Sequence, residues 1–323
     1  MADPNHDIAP EITPDISAPR GFWQRLRDSD IWFSWSRSPV TIIASAVALS
    51  LILGAALAPW LAPHTPFSPA TVELMDGFTP PGAQALSGTT YLLGTDDQGR
   101  DMLSTIMYGS RVSLFVGFAA TLFAMTLGIT LGLAAGYRGG LADTIIMRIA
   151  DVQLSFPAIL IALLIFGVAQ GLIPASQQEQ TAVWVLILAI GLSNWAQFAR
   201  TVRGTTMVER QKDYVSAARL LGRRPLAIVT RHVLPNVLGP VLVIATISLA
   251  LAIIEEATLS YLGVGVPPTQ PSLGTLIRIG QRFLFSGEWW ILAFPAVTLI
   301  LLALSVNLLG DWLRDALNPR LRK

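Results

Sequence analysis

The chain contains 323 residues, of which 52% are hydrophobic and 13% are charged, and its mean hydropathy is +0.56. Soluble domains carry about 25% charged residues, so this composition excludes an ordinary soluble protein and predicts a membrane protein. The absence of cysteine excludes a disulfide scaffold, thiolate metal sites and thiol catalysis. The formal net charge of +1 gives no indication of nucleic-acid binding.

Long apolar runs without charged residues set the architecture. A helix needs about 20 apolar residues to cross the bilayer core, and six runs of 18 residues or more follow one another here. They predict an all-α, polytopic membrane protein with six transmembrane helices. The runs are Val40–Leu61, Val112–Gly136, Phe156–Pro174, Thr181–Ala199, Val237–Ile254 and Trp289–Gly310. We expect the third helix to begin earlier, near Leu141, and to be kinked at Pro157.

The segments on either side of the first run differ in character. Residues 1–39 are polar and contain five prolines, which predicts a flexible N-terminal tail. The run 40–61 begins too late and is too long for a cleavable signal peptide, so we interpret it as a retained anchor. Residues 62–111 are rich in proline and end in an apolar stripe that predicts a helix lying on the membrane surface. The stripe consists of Met102, Leu103, Ile106 and Met107.

Basic residues are distributed unevenly between the runs. The N-terminal tail, residues 137–155, residues 200–236 and the C-terminus hold 18 of the 22 Lys and Arg residues. By the positive-inside rule, these segments and both termini are predicted to be cytoplasmic. The predicted organisation is a cytoplasmic tail 1–39, a first helix 40–61, a periplasmic segment 62–111, a core 112–310 with a periplasmic loop 255–288, and a cytoplasmic tail 311–323.

The longest cytoplasmic loop, residues 209–236, has the pattern of two short helices joined by a turn. Gly222 can adopt a positive φ and end the first helix, and Pro225 suits the first turn of the second. The second helix is expected to stop before Pro235. The residues alone are equally compatible with a basic connector. A narrow face of small residues on the first helix is predicted from the spacing i, i+3, i+4 and i+7 of Tyr214, Ala217, Ala218 and Leu221.

This loop has the pattern Ser216-Ala-Ala, three residues, Gly222, nine residues and His232-Val-Leu-Pro. The pattern resembles the EAA loop of ABC importer permeases. The family pattern is Glu-Ala-Ala, three residues, Gly, nine residues and Ile-x-Leu-Pro, so Ser216 replaces the usual Glu and His232 the usual Ile. The resemblance implies that residues 213–235 are a coupling element that docks into an ATPase. The implied coupling residues are Tyr214, Ala217, Ala218, Leu221, Gly222, Arg231, His232, Leu234 and Pro235.

Further motifs extend the resemblance over residues 37–322. They are similar to motifs of the C-type subunit of dipeptide, oligopeptide and nickel permeases. The resemblance implies the type I permease fold in a bacterial inner membrane, with both termini cytoplasmic. The matching segments begin with Leu93-Gly-Thr-Asp-Asp, Tyr108-Gly-Ser-Arg, Gly136-Tyr-Arg-Gly-Gly, Glu255-Glu-Ala-Thr and Gly310-Asp-Trp-Leu.

The resemblance also implies the partners. They are a homologous second permease that forms a heterodimer with this chain, two cytoplasmic ATPase subunits and a periplasmic substrate-binding protein. This chain is expected to bind no cofactor, because a P-loop needs lysine in Gly-x4-Gly-Lys-Ser/Thr, and neither Lys212 nor Lys323 has that context. ATP and Mg are used by the ATPase subunits. The expected substrate is a peptide, and nickel or another small solute is the alternative.

Two charged pairs are further candidate sites. Arg148 and Asp151 are three residues apart and are expected to pair near the cytoplasmic edge of the third helix, where a structural role is favoured over a proton relay. Glu255 and Glu256 follow the fifth run and are expected on the periplasmic side. There a solvated, packing-related role is favoured over contact with a substrate amino terminus or the binding protein.

The remaining patterns concern packing and alternative functions. Gly128, Gly132 and Gly136 allow close helix contact, expected within this chain, with the heterodimer as the alternative. The three histidines are scattered and no catalytic constellation is visible, so neither a metal site nor an enzyme is expected. The alternative function, a proton- or sodium-coupled transporter, would need several intramembrane ionisable groups and usually an internal repeat. Turn and helix-start roles are expected for Asp96, Asp97 and Asp101.

Overall fold

The computed structural model describes residues 30–67 and 72–317, and this part of the chain is helical. Its only β pairings are two isolated bridges. The predicted all-α class is therefore confirmed.

The helices are α1 (Asp30–Arg37), α2 (Pro39–Ala56), α3 (Ala58–Leu61), α4 (Met102–Arg138), α5 (Gly140–Leu154), α6 (Ala158–Leu172), α7 (Ala175–Glu209), α8 (Asp213–Leu220), α9 (Pro225–Ile228), α10 (Leu234–Tyr261), α11 (Leu273–Gln281) and α12 (Trp290–Leu317). A π turn, Val229–Val233, lies between α9 and α10.

Several of these helices have the length and composition of membrane spans. In the described residues, five stretches qualify on their own, namely α2, α4, α7, the continuous stretch Pro225–Tyr261 and α12. Helices α5 and α6 qualify only together, because each has only 15 residues, and the chain bends by 100° between them. When this bent pair is counted as one span, the total is the six predicted from the apolar runs.

The bend between α5 and α6 is much sharper than the predicted kink. Helix α5 ends at Leu154, Pro157 has φ −57° and ψ 130°, and α6 starts at Ala158. Proline has no N–H to donate and disfavours helical backbone at the residue before it, so the helix does not continue across this position. The third span therefore consists of two helices of 15 residues each. The predicted start near Leu141 and the interruption at Pro157 are confirmed, but the prediction of one tilted, kinked helix is wrong.

The predicted surface helix before the second span is also wrong. The side chain of Asp101 accepts a hydrogen bond from the N–H of Ser104 at 2.9 Å and caps α4, which then runs for 37 residues without a break. Met102 and Ile106 are buried in a cluster with Leu273 and its neighbours. The apolar stripe therefore packs against protein and does not lie on the membrane surface. Asp101 does start a helix, as expected.

The helices also extend beyond the predicted segments at the two ends of the chain and after the fifth span. Helix α1 lies within the predicted flexible tail, whose residues 1–29 are outside the described part. Helix α12 continues to Leu317, into the predicted C-terminal tail. Helix α10 reaches Tyr261, so the predicted loop 255–288 begins inside a helix. Apolar runs mark only the stretch that lipid requires, and polar residues continue the same helices.

The two longest helices, α4 and α7, pack at very short range through glycines. A Cβ atom added at Gly128 would lie 2.4 Å from the Cβ of Phe198. At Gly132 it would lie 2.6 Å from the carbonyl oxygen of Ala199, and at Gly136 2.7 Å from the Cβ of Thr206. These separations leave no room for a side chain. The glycine stripe thus makes its close contact within this chain, as expected.

We expect Gly132→Ala to push α4 and α7 apart and to destabilise the fold by about 1–3 kcal/mol, the usual cost of overpacking. The midpoint temperature of unfolding in detergent should fall accordingly. Gly204→Ala is the matched control, because Gly204 lies on α7 and an added Cβ there would meet nothing within 4 Å. Since alanine favours helix over glycine, this control should leave the midpoint unchanged or raise it. Equal midpoints for the two variants would contradict the close contact.

Candidate functional site

Residues 209–236 form a hairpin of two short helices between α7 and α10, which we call the α8–α9 hairpin. Helix α8 ends at Leu220, and Gly222 has φ +70°. The N–H of Gly222 donates to the carbonyl of Arg219 at 3.0 Å, and the N–H of Arg223 donates to the carbonyl of Ala218 at 3.2 Å. This is the hydrogen-bond pattern of a Schellman cap, which needs a residue with positive φ. The predicted turn at Gly222 is confirmed.

The sequence predicted that the second helix stops before Pro235, but the helix continues past this residue. Helix α9 passes through the π turn 229–233 directly into α10, and Pro235 lies in the first turn of α10. The N–H of Leu234 donates to the carbonyl of Val229, five residues back. A wide turn of this kind accommodates a proline without breaking the helix. The hairpin is therefore continuous with the span that follows it.

The buried face of α8 differs from the predicted one. Val215 is fully buried and Ala218 is 6% exposed, and both pack in a cluster with Phe198 and Ile228. Ala217 is exposed. The predicted face of small residues is therefore divided, with Ala218 turned towards the chain's own core and Ala217 away from it. Burial depends on where α7 and α10 lie, which helical spacing alone does not specify.

Three leucines are exposed around the turn of the hairpin. Leu220 is 90% exposed, Leu221 81% and Leu226 75%. We call these residues the leucine tip. Leu221 was among the predicted residues, whereas Leu220 and Leu226 were missed. Their signal in the sequence is the position of apolar residues on both sides of Gly222-Arg-Arg, in a loop that is otherwise basic. A cluster of exposed large apolar side chains outside the spans is typical of a protein-binding surface.

A polar network connects the two ends of the hairpin. Glu209 is 9% exposed, and one carboxylate oxygen lies 2.5 Å from Nζ of Lys212. The other oxygen accepts a hydrogen bond from the hydroxyl of Tyr214. Nδ2 of Asn236 donates to that hydroxyl at 3.2 Å and to the carbonyl of His232 at 2.7 Å. Tyr214 therefore connects the end of α7 to the start of α10, and its ring lies 6.3 Å from that of His232.

The surroundings of Tyr214 favour the protonated form of its hydroxyl. Burial, the hydrogen bond to Glu209 and the negative charge of Glu209 together raise the pKa of Tyr214 to about 12. The hydroxyl thus remains protonated and able to donate at physiological pH. Of the other predicted residues, Arg231 and Pro235 are exposed and Leu234 is half-buried.

Three arginines near the end of α7 attach this end of the helix to α4 and α5. Nη1 of Arg210 donates to the carbonyls of Gly136 and Tyr137, at 2.9 and 3.3 Å. Arg203 makes a bidentate pair with Asp143, with N–O distances of 2.5 and 2.7 Å. Arg200 pairs with Asp151 of α5 at 2.5 Å, 49 residues away in the chain.

The expected pair of Arg148 and Asp151 is therefore wrong, because Asp151 is engaged by Arg200. Helix α5 bends back along α7 and turns its carboxylates towards the arginines of that helix. A local spacing of three residues does not reveal such a partner. The side chains of Asp151 and Arg200 are 54% and 55% exposed, so this ion pair is solvated.

The packing-related role expected for Glu255 and Glu256 fits the structure, but the expected solvation is wrong for Glu256. Both lie inside α10, and Glu256 is fully buried, with Oε1 accepting a hydrogen bond from Ser260 at 2.7 Å. Glu255 is half-buried and accepts a hydrogen bond from Nδ2 of Asn194 at 2.7 Å. Helix α11 packs over this end of α10 and covers Glu256. That carboxylate is therefore not available to a periplasmic partner.

We expect Asp143→Asn to destabilise the protein more than Asp151→Asn. The Asp143–Arg203 pair is bidentate and largely shielded, with side chains 19% and 33% exposed, whereas an exposed ion pair contributes only about 0–1 kcal/mol. The measurement is the midpoint temperature of unfolding of the two variants in detergent. Each substitution removes one negative charge on the same helix, so Asp151→Asn is the matched control. A larger loss for Asp151→Asn would contradict the shielding.

Comparisons with known proteins place this geometry in context. Residues 128–323 match the family model described as "Binding-protein-dependent transport system inner membrane component". The dipeptide transport system permease protein DppC of Haemophilus influenzae is 35% identical over 91% of this chain and 95% of its own length. The oligopeptide transport system permease protein OppC of Bacillus subtilis is 32% identical over 91% of this chain and 90% of its own length. This chain is also similar in structure to one chain of an inward-facing MetNI methionine ABC transporter, with a TM-score of 0.52 and 20% sequence identity. The similar region covers 67% of this chain and 98% of the MetNI chain.

Proposed function

The chain belongs to the family of binding-protein-dependent transport system inner membrane components, and we propose that it is the peptide-translocating permease subunit of an ABC importer. The observation that carries the proposal is the α8–α9 hairpin, with its leucine tip, in the position of the family's coupling element. Relatives named as dipeptide and oligopeptide permeases, similar along about nine-tenths of both chains, favour a peptide substrate. The importer would also contain a homologous second permease, two ATPase subunits and a substrate-binding protein.

The proposed role of the hairpin is to couple movements of an ATPase to the spans. The leucine tip would insert into an apolar groove of the ATPase. The Schellman cap at Gly222 and the Tyr214 network fix the tip relative to the ends of α7 and α10. Since both helices continue from the hairpin into spans, displacement of the tip would be transmitted to the membrane-embedded part. ATP and Mg would bind to the ATPase subunits, because neither lysine of this chain has the context of a P-loop.

The proposed function is tested with the complete complex in proteoliposomes. A radiolabelled dipeptide, supplied with the binding protein, should accumulate only when ATP is hydrolysed, and an uncoupler should have no effect. Leu221→Asp should abolish this uptake and reduce the ATPase recovered with the permease on detergent pull-down. The substitution places a charge in an apolar contact but disturbs little of this chain, since Leu221 is 81% exposed.

Gln211→Asp is the matched control for Leu221→Asp, because it introduces the same charge at an exposed position at the base of the hairpin. It should leave uptake within about twofold of wild type, as exposed substitutions outside a contact usually have little effect. Ala218→Glu is not a suitable probe of docking, because its side chain points into the core of this chain. Normal uptake by Leu221→Asp with the ATPase still attached would exclude the tip as the coupling element.

Both termini and the hairpin are proposed to lie in the cytoplasm, on the basis of the 18 basic residues on that side. The chain lacks cysteine, so single cysteines at Leu86, Ser176 and Gly287, all exposed, should react with an impermeant maleimide from outside the cell. Cysteines at Gln211 and Ser216 should react only after the membrane is permeabilised. The reverse pattern would overturn the orientation and the coupling role with it.

A further inference from the structure

A large groove lies at the end of the molecule opposite the hairpin. Its volume is about 1130 Å³, and it is bordered by the end of α2, the first half of α4, the start of α7 and residues 269–270. Pockets that hold drug-sized ligands are typically about 300–1,000 Å³, so a short peptide would fit with room to spare. Most of the lining is apolar, as in small-molecule sites.

Arg111 is the one charged residue that lines the groove within the described part of the chain. Its guanidinium has no ion-pair or hydrogen-bond partner among the described residues, whereas Arg200, Arg203 and Arg210 are all engaged. Arg111 is exposed in the groove, so its guanidinium is available to an anionic ligand. Its planar fork matches the two oxygens of a carboxylate.

Aromatic rings hold the walls of the groove on both sides of Arg111. Tyr108, Arg111 and Phe115 are spaced three and four residues apart and share one face of α4. The ring of Phe67 packs edge-on against Tyr108, with centroids 5.5 Å apart. Trp184 packs in the same way against Phe115 at 6.0 Å. Rings fixed by such contacts provide a preformed apolar surface for side chains of varied shape.

Polar groups complete a site suited to a peptide. Gln180, Thr269 and Gln270 also line the groove, and the hydroxyl of Thr269 donates to the carboxylate of Glu179. The side-chain amides of Gln180 and Gln270 can both donate and accept hydrogen bonds, as the peptide group requires. A fatty acyl chain would offer these two amides no partner, which favours a peptide over a lipid.

We propose that this groove is a binding station on the translocation path and that Arg111 binds the terminal carboxylate of the peptide. The inference rests on the proposed function and identifies the chemical group of the substrate that this chain recognises. The aromatic rings would contact the peptide side chains, and the amides of Gln180 and Gln270 would contact its backbone. The open side of the groove would be closed by the second permease.

The test compares alanyl-phenylalanine with its C-terminal amide in proteoliposomes that contain the complete complex. Each labelled probe is supplied at a concentration that saturates the purified binding protein. Arg111→Gln should lower uptake of the free dipeptide about tenfold or more, as expected when a charge-assisted pair is lost, and uptake of the amide less than about twofold. Because the variant-to-wild-type ratio is taken for each probe, the preference of the binding protein cancels.

Two further variants make the comparison specific. Arg111→Glu should repel the carboxylate, so that uptake of the amide exceeds uptake of the free dipeptide. Arg282→Gln is the matched control, since Arg282 is exposed and does not line the groove, and both probes should be taken up as by wild type. Every variant is checked for recovery of the second permease and the ATPases on pull-down.

Three outcomes would overturn the assignment of Arg111. One is an equal loss of uptake for both probes, and another is loss of the second permease from the variant complex. The third is a defect that disappears when anionic lipids are omitted, which would identify a lipid headgroup as the ligand of Arg111. Failure of the wild-type complex to take up either probe would instead contradict the proposed function, so the two failures are distinguishable.

Discussion

The close approach of α4 and α7 is the constraint on which the rest of the structure depends. Three glycines one turn apart allow these helices to touch backbone to backbone. Since α7 continues into the hairpin, this contact also sets where the hairpin lies, and Arg210 reinforces it by binding carbonyls at the end of α4. The helix that begins in the Arg111 groove is therefore also the helix that supports the hairpin.

The sequence predicted the features that depend on local physics. Apolar runs located the spans, because lipid requires about 20 apolar residues whatever the tertiary structure. Gly222 predicted the turn of the hairpin, since a Schellman cap needs a positive φ. The stripe of Gly128, Gly132 and Gly136 predicted a close helix contact. Each of these signals lies within a few consecutive turns of the chain.

The features that the sequence did not predict depend on how distant elements meet. Asp151 pairs with Arg200 and not with Arg148, because α5 packs against α7. Ala218 is buried and Ala217 exposed because α8 packs against α7 and the start of α10. Glu256 lies under α11, although its position after an apolar run suggested solvent. In each case the environment comes from residues far away in the chain.

The π turn between α9 and α10 has a geometric consequence. It holds one residue more than a regular helix of the same rise, so it acts as a local insertion within the stretch Pro225–Tyr261. Conversion of this turn to regular α-helix would shift the register by one residue. The rest of the helix would then rotate by about 100° and move by about 1.5 Å along its axis. A small axial displacement at the hairpin would thus become a rotation of the face that α10 presents in the membrane.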